Sequence, residues 1–326
     1  MTSRRLFLKV PLLAFMGGLL MPAMRCAPAF AKAPPVKKQA PGYYRIMVGD
    51  YEVTTLLDGT NKFDPFKLYN NATEDLVKRV MDNAFLKPPV ELSINAFLVN
   101  TGEKLVLIDT GNGIIPDKTN IGHVLDNLKA AGYQPEDIDD ILITHAHGDH
   151  IGGLLLEGKI AFPNAIVHIS RLEYDYWTSK KNRDAAPEAA RATFDTRAKT
   201  LNIYKDAGKL KTFEDKAEPV SGFTAILCPG HTPGHTAFLL KRQEQGILFW
   251  GDITHGSAIQ FSAPEITVGF DTDNKQAFAS RLRLMSLAAK ERYMIAGAHI
   301  SFPGLGHTKE GGGKYFQWVP VYYTSL

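Results

Sequence analysis

Between Ile141 and Gly153 the chain reads ILITHAHGDHIGG, which sets four candidate metal donors within six positions: His145, His147, Asp149 and His150. His145 and His147 stand at i and i+2, so in extended backbone their side chains leave the same face. Asp149 and His150 are adjacent and, as the chain turns into a helix, can address a second point close by. So short a patch cannot complete two tetrahedral sites, and the missing donors must come from elsewhere. Three candidates stand just after apolar runs: His231 in CPGHTPGHT, Asp252 in FWGD and His299 in AGAH. Each follows an apolar strand candidate, so loops from several strands are expected to converge on one sheet edge. Cys228 lies near His231 but within a strand candidate, and reads as a small buried residue rather than a donor.

This ordered set, H-x-H-x-D-H followed by PGH, GD and a late G-x-H, resembles the metallo-β-lactamase superfamily. The resemblance extends to Asp109 in LVLIDTG, which matches that family's early strand-end aspartate and would orient a metal-bound histidine. On this reading His145, His147 and His231 hold one ion, Asp149, His150 and His299 the other, and Asp252 bridges them. Imidazole and carboxylate donors suit two divalent ions per chain, Zn²⁺ foremost, with Mn, Fe or Co compatible. Ions ~3.5–4 Å apart can share a hydroxide at neutral pH that attacks a carbonyl or phosphorus. The expected chemistry is hydrolysis.

Within the superfamily, PGYYRIMVGDYEVTTLLD at Pro41–Asp58, Leu128–Gly153, Pro229–Thr236 and AHISFPGLGH at Ala298–His307 are similar to the methyl parathion hydrolase-like branch. That branch holds organophosphate triesterases and related lactonases and arylesterases. The resemblance implies an α/β fold, the αββα sandwich of two mixed sheets with helices outside, usually as a homodimer. It also places Trp177 and Phe194 at the mouth of the substrate pocket. Three residues past Asp252 this chain has His255, and later Phe270, where phosphotriester-specialised members carry smaller or apolar residues. An imidazole beside the metals can hydrogen-bond an ester or ring oxygen. Lactone opening or aryl-ester cleavage is therefore the expected activity, with organophosphate triester hydrolysis as the alternative. The expected catalytic set is Asp252, Asp149, Asp109 and His255, with His235 and His307 hydrogen-bonding to the donors. The family's β-lactamases usually lack a bridging aspartate, and its thioesterases usually carry a helical C-terminal domain. A non-catalytic metal-binding protein would have no need of an open bridging position.

The elements that must position these residues are legible as apolar β-branched runs between helical stretches. Tyr44–Val48 and Tyr51–Leu57 flank Gly49-Asp50 as a hairpin, and Ala96–Asn100 and Leu105–Asp109 form a second. Ile141–Thr144, Ala165–Ile169, Phe223–Cys228, Ala237–Leu240, Ile247–Trp250 and Tyr293–Ala296 read as further strands, and Trp318–Tyr323 as a last one. Ile121–Ala131 and Asn274–Lys290 have helical spacing, and Arg171–Gly208 is helical in pattern. Strands followed by helices, given twice, predict two sheets with helices outside. His123 and His168 belong to no motif and read as surface residues.

The full chain has 326 residues, 44% of them hydrophobic, and a formal charge of +3 from 37 Lys and Arg against 34 Asp and Glu. Residues 1–31 contribute Arg4, Arg5, Lys9 and Arg25 and no acid, which leaves 33 basic against 34 acidic groups in the remainder. A body near neutrality offers no general attraction to nucleic acid or to an anionic membrane. SRRLFLK at Ser3–Lys9, the uncharged Val10–Met24 and Ala29-Phe30-Ala31 resemble a twin-arginine export signal, cleaved after Ala31. The expectation is a periplasmic or secreted protein: signal 1–31, linker 32–40 and one hydrolase domain 41–326. Its partner would be a small-molecule ester, lactone or phosphotriester, with no membrane association after cleavage. With Cys26 in the signal, Cys228 would be alone, so no internal disulfide can form.

Overall fold

The computed structural model describes residues 33, 35–312 and 315–326. The expected export signal lies outside the described residues. Residues 35–40 have no regular structure and are exposed. Ala40–Leu326 forms one compact unit.

Its first half builds a seven-stranded sheet whose strands lie in chain order: β1 (Tyr43–Val48), β2 (Tyr51–Phe63), β3 (Val90–Asn100), β4 (Leu105–Ile108), β5 (Asp140–Ile143), β6 (Ile166–Ser170) and β7 (Leu210–Phe213). β1 to β4 pair antiparallel, β1–β2 and β3–β4 through tight turns and β2–β3 through a longer connection, and β4 to β7 run parallel. Parallel neighbours need crossovers, and helices supply them. These include α2 (Val124–Ala130) after β4, α3 (Gly148–Ile151) after β5, and α4 (Arg171–Thr178), α5 (Lys180–Ala185) and α6 (Glu188–Asp206) after β6; α1 (Glu74–Asn83) lies in the β2–β3 connection. The second half builds a six-stranded mixed sheet, β8 (Phe223–Leu227), β9 (Thr236–Arg242), β10 (Gln245–Phe249), β11 (Met294–Ala296), β12 (Leu305–Glu310) and β13 (Phe316–Pro320), with α7 (Asn274–Glu291) between β10 and β11. β10 and β11 are parallel, the other pairs antiparallel.

Strand alternation sorts side chains into layers. Val106 and Ile108 of β4 face the inter-sheet core with Phe238, Leu240, Ile247 and Phe249. Leu107, between them, joins Leu128 of α2 and Leu201 and Tyr204 of α6 in a core outside the first sheet. Leu239, Leu248 and Ile295 pack on Leu284, Met285 and Ala288 of α7 outside the second. The result is the predicted α/β sandwich, two mixed sheets face to face with helices on the outer surfaces.

The details differ from expectation in places with a physical cause. β2 does not stop at Leu57: it runs to Phe63 across a register shift between Leu57 and Gly59. Asp58, at that shift, is buried and accepts from the backbone and side-chain nitrogens of Asn112 and from Gly122 N–H. Arg171–Gly208 is three helices, capped at the breaks by Ser179, whose side chain accepts from Asn182, and by Pro187. His168 is not a surface residue: it is buried, with Nε2 2.7 Å from Asp140. Among the described residues no helix is long and apolar enough to cross a membrane.

Candidate metal centre

Sheet topology brings the donors together. β4, β5 and β6 are parallel, so Asp109, His145 and the start of α4 follow their C-terminal ends on one edge. β8, β10 and β11 point alike in the second sheet, so His231, Asp252 and His299 follow theirs. Thr236 N–H donates to Thr144 C=O at 2.9 Å and joins the two edges directly.

The residues form three overlapping groups whose donor atoms lie within 4.8 Å of one another: His145, His147, His231 and Asp252; Asp149, His150 and His299; and Asp252, His255 and His299. Asp252 is common to two of them. Its Oδ2 lies 3.1 Å from His231 Nε2 and from His299 Nε2, 3.3 Å from His255 Nε2 and 3.6 Å from His145 Nε2, while Oδ1 lies 3.1 Å from His150 Nε2.

The outer nitrogens explain why these rings point as they do. His150 Nδ1 lies 2.8 Å from Asp109 Oδ2, His231 Nδ1 2.8 Å from Asp271 Oδ1, and His299 Nδ1 3.0 Å from Ser93 C=O. Carboxylates and carbonyls only accept, so Nδ1 carries a proton, and in the neutral ring that would hold a metal Nε2 turns its lone pair to the centre. Asp109 sits at φ +58, a left-handed conformation that aspartate tolerates better than most residues. Thr144 N–H at 2.9 Å and Thr144 Oγ1 at 2.7 Å fix its carboxylate there. Asp109 therefore acts through His150 and is a positioning residue.

Burial and the facing histidines hold His145 and His147 well below the ordinary imidazole range, which leaves both as neutral donors. Burial alone would lower His150 and His299 too; the Asp252 carboxylate, with Asp109 for one and Asp149 for the other, raises them instead. Burial would raise Asp252, but His150, His299 and His145 around it keep it well below the carboxylate range. His145 Nε2, His150 Nε2 and Asp252 Oδ1 are sealed from solvent without a hydrogen-bond partner among the described residues. Buried polar atoms are nearly always satisfied. Orphaned lone pairs on converging imidazoles and a carboxylate, each ring braced from behind, fit divalent metal ions.

A cavity of about 770 Å³ opens over this cluster, lined among others by His147, Asp149, Asp252, His255 and His299. Trp177 and Phe194 line it and are also packed into the core beside α6, each 5% exposed. Phe270 lines it too, on the rim against Phe63. His255 is buried, its ring stacked on His299 at 4.9 Å. Burial first, and the neighbouring histidines, bring its pKa to about 4, against the pull of Asp252.

His235 lies beneath the donors: its Nε2 accepts from Asp252 N–H at 3.0 Å, and its Nδ1 faces Cys228 Sγ at 3.1 Å. Cys228 is free and buried, its thiol pushed up to about 12 by burial. His307 is the one candidate not brought in. It lies on β12 opposite Val319, one residue beyond the Gly306–Ile295 pair. That direction leads back along β11, away from the end that carries His299, so His307 does not hydrogen-bond to a donor.

Two residues in the site carry no sequence signal. Asp271 braces His231 from a loop before α7. Glu173 is fully buried, and its carboxylate accepts from Ala146 N–H at 2.8 Å, Trp177 Nε1 at 2.7 Å, Thr232 Oγ1 at 2.7 Å and Gly234 N–H at 3.0 Å. One side chain thus ties the His145–His147 loop, the His231 loop and the cavity wall. Burial lifts its carboxyl above the usual range, and the four donors restrain that rise.

A sequence model of the metallo-beta-lactamase superfamily matches residues 89–299. The chain belongs to that superfamily. Among its relatives, an N-acyl homoserine lactonase from Bacillus sp. is 28% identical over 229 residues, 64% of this chain and 82% of its own. One from Bacillus cereus is 26% identical over 244 residues, 69% of this chain and 88% of its own. The crystal structure of AbOPH, a hydrolase of the beta lactamase superfamily, is 38% identical with a TM-score of 0.83, covering 88% of this chain and all of its own. AidC, a dizinc quorum-quenching lactonase solved with a product bound, is 32% identical with a TM-score of 0.80, covering 87% and 99%. The chain is thus a metal-dependent hydrolase of the superfamily's lactonase-like kind, with a His/Asp cluster suited to two ions.

Proposed function

We propose that this hydrolase opens lactones or cleaves activated aryl esters, with N-acyl homoserine lactones as the first class to test. His145, His147 and His231 would hold one ion, Asp149, His150 and His299 the other, and Asp252 would bridge. Divalent ions held there would supply Lewis acidity to the attacked oxygen and a hydroxide at neutral pH. The chain's own residues do the rest. Asp109 and Asp271, with Ser93 C=O, hold the donor rings in one tautomer. Trp177 and Phe194 form an apolar wall that keeps water from one side of the substrate.

The observation that carries the lactone reading is His255. A buried imidazole of low basicity lies 3.3 Å from Asp252 on the cavity floor. Being neutral, it can donate one hydrogen bond to a ring or ester oxygen, or to a leaving alkoxide or phenoxide, without adding a full charge. The names of the Bacillus lactonases and of AidC support the same class. A second reading, organophosphate triester hydrolysis, is favoured by the aromatic surfaces of Trp177, Phe194 and Phe270, which suit an aryl leaving group. Side-by-side kcat/KM on dihydrocoumarin, an acyl-homoserine lactone and methyl paraoxon ranks the two. The lactones should lead; a phosphotriester preference above tenfold reverses the order. Asp252→Ala should abolish turnover and lower the metal content. A variant that keeps two metals and full rate would falsify the donor assignment.

A further inference from the structure

One cationic side chain on the cavity wall has no hydrogen-bond or ion-pair partner among the described residues. Arg197 of α6 is the only Lys or Arg among the described residues lining the cavity. Its guanidinium carbon lies 5.3 Å from the Trp177 ring centroid. One terminal nitrogen lies 3.3 Å from the point where a side chain on Gly148 would begin. Gly148 stands between His147 and Asp149, so the cation rests against the backbone that carries one donor for each ion. Arg197 Nε is sealed from solvent without a hydrogen-bond partner among the described residues. Asp149 and Glu173 act on it through space and not through a hydrogen bond, and Glu173 is already engaged by four donors.

A guanidinium presents five N–H donors in one plane and no acceptor. Its contact with the indole face uses none of the in-plane donors, which are left to be met by something else. Nε, buried unmet, costs free energy, while the terminal N–H groups are not sealed in this way and can meet an acceptor in the cavity. Arg197 is half-buried and seated against Trp177, and Glu173 fixes that indole through a 2.7 Å hydrogen bond. The seat is therefore held in place before any ligand arrives. Phe194, Ala186 and Ala190 line the same cavity.

We propose that Arg197 reads a second oxygen acceptor on the substrate, an amide carbonyl or a carboxylate set beside the scissile group. It would thereby make the enzyme selective for acyl-substituted lactones and esters over bare ones. The proposal rests on the hydrolytic reading above, which supplies the position of the scissile group. The apolar wall of Trp177 and Phe194 then receives the chain attached to that acceptor. Gly148 belongs to the same device, since a side chain there would meet the guanidinium.

The test compares wild type, Arg197→Met and Arg197→Lys on γ-butyrolactone and on its α-acylamido and α-carboxy derivatives. The ratio of substituted to bare kcat/KM should fall at least tenfold in Arg197→Met for one derivative, which identifies the acceptor, and less in Arg197→Lys. A ratio unchanged within twofold for both derivatives overturns the proposal. A second readout needs no turnover: calorimetric binding of the non-hydrolysable 3-acylamido-2-pyrrolidinone and its carboxy analogue to metal-loaded protein. Affinity for one should fall at least tenfold in Arg197→Met; equal affinity for both overturns the proposal. Should wild type cleave none of the lactones, the hydrolytic reading fails, and the binding arm still decides the role of Arg197. Arg197→Lys keeps the stem and the charge, and serves in both arms if Arg197→Met does not fold.

Discussion

Glu173 shows how one residue can govern a centre it never enters. Glu173 gathers two backbone N–H groups and a hydroxyl from two loops, with an indole N–H, onto two oxygens. In Glu173→Gln, one carbonyl oxygen remains. If it keeps Ala146 N–H and the Trp177 indole, the new amide faces Gly234 N–H and Thr232. The threonine hydroxyl can rotate to accept, but the glycine N–H cannot. One buried donor left unmet costs about 1–3 kcal/mol. Urea denaturation should show that loss, and metal titration a weakening of roughly 10–100-fold, the usual effect of removing support from a donor. No change in either measurement would reduce Glu173 to a packing residue. Asp271→Asn makes a narrower prediction, because Asp271 supports His231 alone. It should weaken one ion by a similar factor and spare the other, as two-step metal titration would show. Neither residue was legible in the sequence. The donors are dense in local motifs, whereas Glu173 and Asp271 meet their partners only after loops far apart in the chain converge.

At the scale of elements, the site depends on close backbone approach. The end of α3 is laced to the loop after β4: Thr110 N–H donates to His150 C=O at 2.8 Å, and Gly153 N–H to Gly111 C=O at 3.1 Å. A side chain on Gly153 would begin 2.1 Å from Thr110 C=O, and one on Gly234 2.2 Å from Glu173 N. Both neighbours are backbone and cannot swing aside. Gly153→Ala should therefore push α3 from its seat, destabilise by about 1–3 kcal/mol or more, and displace His150 with Asp149. A lowered denaturation midpoint, together with lost metal, would show it; a wild-type midpoint would mean the loop yields at no cost. The glycine pair closing ILITHAHGDHIGG is thus part of the same device as its histidines. Most strands were legible because period-two and wholly apolar runs survive into the fold. Pro65–Asn83 was not, because α1 buries little beyond Val77 and Met81 and its sequence is otherwise polar. β7, four residues long, was too short to stand out against the helix before it. His307 illustrates the opposite error: closeness in sequence to His299 does not survive the reversal of the chain into β12.

For the whole molecule, the donors divide between the sheets, and this gives metal a structural role. His145, His147, Asp149 and His150 hang from the first sheet, His231, Asp252 and His299 from the second. The inter-sheet core of Val106, Ile108, Phe238 and Phe249 holds the layers elsewhere. Direct ties near the site are polar, such as Asn95 Nδ2 to Gly297 C=O at 3.1 Å and to Ile300 C=O at 2.8 Å. Ions bound by donors from both layers would cross-link them, and an unfolded chain cannot offer those donors together. Binding to the native state alone stabilises by about 2.7 kcal/mol per site at a free concentration 100 times Kd. In a domain of this size such a gain raises the melting temperature by roughly 4–5 °C per site. Chelation followed by calorimetry should therefore lower Tm by at least that amount, and added Zn²⁺ should restore it. Far-UV circular dichroism should barely change on chelation, because the three main apolar cores are built without the donors. A Tm unmoved by chelation, in protein shown by analysis to have lost its metal, would mean that the polar ties alone hold this edge and that the ions serve chemistry only.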